Sequence, residues 1–221
     1  MTYASLYSGG KDSTLALWMA QKDDINVGKL VTVCPKREDS YMFHKPNLHL
    51  VPKLAESIDI ELIRVKTEGV KERELDDLRK TVSSLNIEGL ITGAVASEYQ
   101  KDRIERIAKD FGLKVYSPLW GMDQEKILKI LIKNNFDARI VSVAAMGLDK
   151  NWLGRKIDKK CIQKLMNLKK RYRINVAGEG GEYETLVLGG PNFKYDFKIV
   201  KSKKNWDGKR GTLNVEEIER V

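Results

Sequence analysis

Tyr3-Ala4-Ser5-Leu6-Tyr7-Ser8-Gly9-Gly10-Lys11-Asp12-Ser13 decides the fold. Residues 3–7 read as a short strand, with apolar and aromatic side chains. Residues 14–20, Thr-Leu-Ala-Leu-Trp-Met-Ala, read as a buried helix. Between them Ser8–Ser13 is a turn of small or polar residues. Adjacent glycines allow positive φ and a close approach of backbone to ligand. The helix behind the turn offers N–H groups and a positive dipole end. Ser8 and Ser13 add hydroxyls and Lys11 a charge. Converging donors and a cation at the mouth of a parallel sheet suit an anionic phosphate chain. The plainer alternative is a Gly-Gly turn capped by serine and aspartate.

The pattern is not the common P-loop, which needs Gly, four residues, then Gly-Lys-Ser/Thr. Here the lysine follows the glycine pair directly and Asp12 precedes the last serine. Ser-Gly-Gly-Lys-Asp-Ser resembles the pyrophosphate loop of the ATP pyrophosphatases, which cleave ATP between the α and β phosphates. That resemblance implies ATP as substrate and an adenylated intermediate.

Outward from this stretch, strand and helix patterns alternate. Lys29–Pro35, Ile60–Val65, Gly89–Val95 and Leu113–Tyr116 read as further strands. Asn47–Ser57, with Pro52 as a kink or a true start, and Glu68–Asn86 read as helices. Ala96 opens another helix through Phe111, with Ser97 as N-cap and Gln100 three residues on, as in a capping box. The alternation predicts an α/β doubly wound, parallel five-stranded sheet. Gly93 ends a strand, where a ligand or a second backbone can come close. Ligands of open α/β sheets sit at that edge. Tyr41–Asn47 gathers Tyr, Met, Phe43 and His44 in a loop, either as a binding cluster or as ordinary packing under the loop.

Ser117-Pro118-Leu119-Trp120-Gly121 breaks the alternation. The domain boundary is placed there, giving residues 1–120 and a smaller C-terminal α+β domain at 121–221. Met122–Asn134 and Asp158–Tyr172 read as helices and Phe136–Ala144 as a strand. The tail reads as β-rich at 186–188, 195–201 and 211–215. Ala177-Gly178-Glu179-Gly180-Gly181-Glu182-Tyr183-Glu184-Thr185 packs three glycines and three glutamates into seven residues. If extended, Glu182 and Glu184 share one face and Tyr183 takes the other. Clustered carboxylates can hold Mg²⁺, bind an ammonium or receive a proton. A Gly-rich hairpin entry with solvated glutamates is the alternative.

Forty Lys and Arg against 31 Asp and Glu give a net charge of +9, favouring acidic partners such as nucleic acid, ribonucleoprotein or nucleotide. Solvated lysines and a heat-adapted proteome would give the same composition. Cys34 and Cys161 are far apart and form no CxxC, so no zinc or iron–sulfur framework is visible. No apolar run reaches the length of a membrane span, and no leader precedes the first strand. We therefore expect a soluble, cytoplasmic protein with no membrane partner. The oligomeric state is open, a homo-oligomer included.

The motifs taken together are narrower than the loop alone. Ser8–Ser13, Gly93-Ala94-Val95, Glu98-Tyr99-Gln100, Ser117-Pro118-Leu119-Trp120, Ala145-Met146-Gly147-Leu148-Asp149, Trp152-Leu153-Gly154 and Gly178–Thr185 follow in that order. This set resembles the diphthine–ammonia ligase family in its archaeal form, over essentially the whole chain. Longer eukaryotic members carry an extra C-terminal region for which this chain has no room. The resemblance implies ATP-dependent amidation of diphthine on translation elongation factor two, through an acyl-adenylate, with release of AMP and pyrophosphate. It implies ATP binding at Ser8, Gly9, Gly10, Lys11, Asp12, Ser13 and Gly93, with Asp12 as a ligand to Mg²⁺. Lys11, Glu182 and Glu184 would be catalytic. Tyr99, Gln100, Trp120, Glu179, Tyr183, Thr185, Phe43 and His44 would line the substrate, Tyr183 or Trp120 through a cation–π contact with its trimethylammonium. No glutaminase triad is visible, so ammonium is the expected nitrogen source. Nucleic acid is not required by this reading; a tRNA-modifying ATP pyrophosphatase is the rival, and a non-catalytic nucleotide sensor a second.

Overall fold

The structure is a computed structural model and describes residues 2–35, 46–68 and 73–221. The chain forms two compact units, Met1–Ser8 with Asp12–Trp120, and Gly9–Lys11 with Gly121–Val221. Phe43 and His44 lie outside the described residues.

In the first unit the strands are β1 (Tyr3–Leu6), β2 (Val27–Pro35), β3 (Glu61–Thr67), β4 (Gly89–Ile91) and β5 (Lys114–Tyr116). They form one parallel sheet in the order β3-β2-β1-β4-β5. The helices are α1 (Lys11–Lys22), α2 (Val51–Ile58), α3 (Arg73–Ser83) and α4 (Glu98–Asp110), and a 3₁₀ turn at Leu48–Leu50 leads into α2. Pro52 sits in the first turn of α2, so it marks the start of that helix. Ala4, Val31, Val33, Val65 and Leu90 of the sheet pack with Leu78 and Val82 of α3 and Ile104 and Ile107 of α4 in one core cluster. The chain runs outward from β1 to β3, then returns through α3 to β4 beside β1. The order reverses between β1 and β4, which sets a crevice at their carboxyl ends.

Two boundaries differ from expectation in ways that matter for the site. The first helix begins at Lys11, not Thr14, so Lys11, Asp12 and Ser13 form its first turn and only Tyr7–Gly10 is loop. Gly9 (φ 75°) makes the reversal. The fourth strand ends at Ile91, so Gly93-Ala94-Val95 lie beyond it.

The second unit holds α5 (Gln124–Lys133), β6 (Ala138–Val143), a 3₁₀ turn at Lys150–Trp152, α6 (Lys159–Tyr172), β7 (Tyr183–Val187), β8 (Phe197–Trp206) and β9 (Gly211–Arg220). Its sheet is antiparallel, in the order β7-β6-β9-β8. Asp123 and Asp158 cap α5 and α6 by accepting from Lys126 N–H (2.9 Å) and Cys161 N–H (2.6 Å). The tail is more regular than its sequence suggests. Strand β7 starts at Tyr183 rather than Leu186, and β8 and β9 run ten residues each as a long hairpin. Along β8, Lys201–Asn205 are exposed on both faces of the sheet's outermost strand.

Candidate active site

In the first unit the site begins where α1 leaves the loop. Ser13 Oγ accepts from the Ser8 N–H at 3.2 Å and lies 3.2 Å from Ser8 Oγ, tying the two ends of the loop. Gly93 packs against the same turn: a Cβ there would stand 2.6 Å from the Asp12 carbonyl carbon and 2.7 Å from Ser13 N. The glycine at the end of β4 thus admits a second backbone, that of α1. Ser97 caps α4, its Oγ accepting from Gln100 N–H at 3.3 Å. The Arg103 guanidinium lies 3.4 Å from the Tyr99 ring centroid, and the Lys101 ammonium 4.4 Å from that of Trp120. Both rings already carry a cation on one face. Tyr7, just before the loop, is buried, and burial raises its hydroxyl pKa beyond the ordinary tyrosine range, with the Thr14 hydroxyl pulling the other way. It stays protonated and is no base.

In the second unit Lys11 is the focus. Its N–H donates to Thr185 Oγ1 at 3.0 Å, and the Val187 N–H donates to Gly9 O at 2.8 Å. Its ammonium lies 4.0 Å from Glu179 Oε1 and 5.6 Å from the Tyr183 ring centroid. The Lys11 side chain is only 4% exposed and that of Glu179 15%, so the pair sits in a medium where charge counts for more than in water. Tyr183 and Thr185 share one face of β7 and both meet Lys11. Glu184 alternates to the other face.

The three glutamates therefore part company. Glu179 is the carboxylate that meets Lys11. Glu182 turns back on its own turn: Oε1 accepts from Asn175 N–H at 2.7 Å and Oε2 from Gly180 N–H at 2.8 Å. Tyr183 adds a bond from its hydroxyl to Val176 O at 2.7 Å. Two residues that the motif does not contain complete this frame. Asn175 Oδ1 accepts from Ala177 N–H, and Gln124 Oε1 accepts from Val176 N–H at 2.9 Å. Asn175 carries the local signal of an Asx turn; Gln124 carries none, being 52 residues away in sequence.

Among the described residues, no group of three or more His, Cys, Asp or Glu side chains is placed to hold a metal. Asp12, in the first turn of α1, is the carboxylate beside the loop. Magnesium uses one or two carboxylates and completes its shell with phosphate oxygens and water, and Asp12 fits that pattern. Cys161 is buried, and burial pushes its thiol up to about 11, so it offers no thiolate at neutral pH.

A phosphate-type loop lies at the switch point of a parallel sheet, and an acidic glycine motif leads into an antiparallel sheet later in the chain. Residues 1–115 match the diphthamide synthase N-terminal domain and residues 123–221 the diphthamide synthase C-terminal domain. The chain belongs to the diphthamide synthase family. A diphthine--ammonia ligase of Homo sapiens is 34% identical over 226 residues, covering 92% of this chain and 84% of the relative. One of Schizosaccharomyces pombe is 34% identical over 214 residues, covering 88% of this chain. This chain spans 35% of the length of that yeast relative. A solved structure described as a predicted subunit of tRNA methyltransferase from Methanocaldococcus jannaschii is 17% identical, with a TM-score of 0.45, covering 86% of this chain and 98% of its own. No described helix is long and apolar enough to cross a membrane.

Proposed function

We propose that this chain catalyses the ATP-dependent amidation of diphthine, the modified histidine of translation elongation factor two, with ammonium as nitrogen donor. Family membership and the relatives' shared name support the reaction. The observation that carries the site is the setting of Lys11, held through its amide by Thr185 and facing Glu179 and Tyr183.

The diphthine carboxylate attacks the α-phosphorus of ATP, the bond to the β-phosphate oxygen breaks, and pyrophosphate leaves. Ammonia then attacks the acyl carbon and AMP departs with the electron pair, leaving an amide. Lys11, Ser8, Ser13 and the amides of Gly9 and Gly10 stabilise charge on the departing pyrophosphate. Asp12 would be the protein group to hold Mg²⁺, and the ion would supply positive charge for the phosphates. Glu179 is best placed to hold an ammonium close to Lys11 and to take its proton. Glu182 shapes the turn that carries Glu179, and its part in the reaction is one of position. Glu184 serves from the opposite face of β7. Trp120, with Tyr99 and Gln100, receives the trimethylammonium, which displaces Lys101 from the ring. Residues 1–120 bind ATP and supply the aromatic contacts to the acceptor, and residues 121–221 supply the acidic ones through Glu179–Thr185.

Product analysis by ion-exchange chromatography tests the reading. The chain is mixed with ATP, Mg²⁺, ammonium and diphthine-bearing elongation factor, with bulk tRNA in a parallel reaction. AMP and pyrophosphate should appear only with the factor, in step with amide formation and with a rate that rises with ammonium. AMP formed only with tRNA, or a rate that depends on glutamine instead of ammonium, would overturn it.

A further inference from the structure

The net charge is not spread over the molecule. Residues 1–120 hold 18 Lys and Arg against 18 Asp and Glu, a balance of zero. Residues 121–221 hold 22 against 13, which is the whole +9. A solvated, heat-adapted surface would mix both signs along the chain. Helix α6 concentrates the excess: Lys159–Tyr172 has six cations and no carboxylate, and its C-cap Arg173 adds a seventh.

At about 100° per residue, Lys159, Lys160, Gln163, Lys164, Asn167, Lys170 and Arg171 share one arc roughly 140° wide. All seven are exposed. Cys161, Ile162 and Leu165 are buried on the other side of the helix. The exposed arc holds no apolar side chain, and each of its residues is a hydrogen-bond donor. Protein interfaces need a buried aromatic or apolar anchor and are depleted in lysine. Lysine, arginine, asparagine and glutamine are instead the groups that contact nucleic-acid phosphates and sugars. A 14-residue helix presents such a face over about 21 Å, several phosphates long.

We propose that the exposed face of α6 binds the phosphate backbone of RNA, using none of the residues assigned to ATP or diphthine. The choice of RNA over DNA rests on the proposed function, since an elongation factor works on RNA. The binding is sequence-tolerant, because the face has no aromatic side chain on which a base could stack.

Fluorescence anisotropy of a labelled 20-base-pair RNA hairpin, without ATP or elongation factor, tests this independently of amidation. The full chain should bind at 50 mM salt and lose about 100-fold or more by 200 mM, as expected for four or five phosphate contacts. Combined Lys159→Gln, Lys160→Gln, Lys164→Gln, Lys170→Gln and Arg171→Gln should abolish most of that affinity and flatten the salt slope. The same variant should keep its circular dichroism melt and its amidation of the factor. Asn167→Lys, which adds a cation inside the arc, should tighten RNA binding two- to five-fold. No RNA binding at 50 mM, or binding with unchanged affinity and slope in the Gln variant, would overturn the proposal. Equal affinity for a DNA hairpin of the same sequence would overturn the choice of RNA. A raised KM for the elongation factor with RNA affinity unchanged would make this a protein-docking face instead. Failure of amidation in the wild type would leave the RNA result standing and remove only the proposed function.

Discussion

The two functional motifs are built in opposite ways. At Ser8–Ser13 the shape comes from what is missing: Gly9 turns the chain and Gly93 leaves room for the backbone of α1. At Glu179–Thr185 the shape comes from side chains that hold backbone, Glu182 on Asn175 and Gly180, Tyr183 on Val176, and Thr185 on Lys11. The first motif is therefore sensitive to added atoms and the second to lost ones. A glutamate in such a motif can matter without touching substrate, because its two carboxylate oxygens each accept a backbone N–H bond.

Lys11 belongs to both constructions, and its loss should have the largest effect. Lys11→Met is expected to lower the amidation rate about 100- to 1,000-fold, the cost of removing one preorganised electrostatic donor. Single-turnover assays of AMP release check this. A rate within threefold of wild type would separate the loop from the chemistry. Next is Gly93→Ala. The new Cβ meets backbone that cannot swing aside, so about 1–3 kcal/mol of stability should be lost in urea titrations, together with ATP affinity. An unperturbed melt would show that α1 has more slack than its packing implies.

The second motif should respond more mildly, and unevenly. Glu182→Gln puts an amide NH₂ against an N–H donor and should cost about 1–3 kcal/mol of stability. Glu179→Gln removes charge beside the buried Lys11 while keeping side-chain volume, so it should change kcat or KM, with a smaller shift of the melt than Glu182→Gln. Equal effects of the two on stability would erase the distinction drawn between them. The smallest effect is expected at Asp207, at the tip of the β8–β9 hairpin. Backbone N–H groups of Arg210 and Lys209 hold its carboxyl below the usual aspartate range. A folded pKa below the unfolded one gives stability that is present at neutral pH and lost as pH falls through the folded value. Asp207→Asn should therefore melt slightly below wild type at pH 7, and the gap should close under acid conditions.

Much of this was legible in the sequence, but unevenly. The strand–loop–helix at the start, the five-stranded parallel sheet and the Ser97 cap follow from local patterns of apolar period and turn chemistry. The early start of α1 was hidden because Lys11, Asp12 and Ser13 read equally well as loop. The long β8 was hidden for another reason. Lys201-Ser202-Lys203-Lys204-Asn205 has no apolar alternation and little strand propensity, and it is extended because it pairs with β9. In the acidic motif the alternation of Tyr183 with its neighbours was readable. The partner of each glutamate was not, since Glu182 binds backbone brought to it by a turn and Gln124 reaches Val176 from another element.

Strand β8 also bears on how copies of this chain behave at high concentration. It ends its sheet with a free edge of backbone groups, the usual template for intermolecular strand addition and fibril growth. Lys201, Lys203 and Lys204 along it would bring like charges together in any second copy that tried to extend the ladder. The same lysines that obscure the strand in the sequence thus act as its guard against self-association, and charge-neutralising the edge is where insolubility would begin.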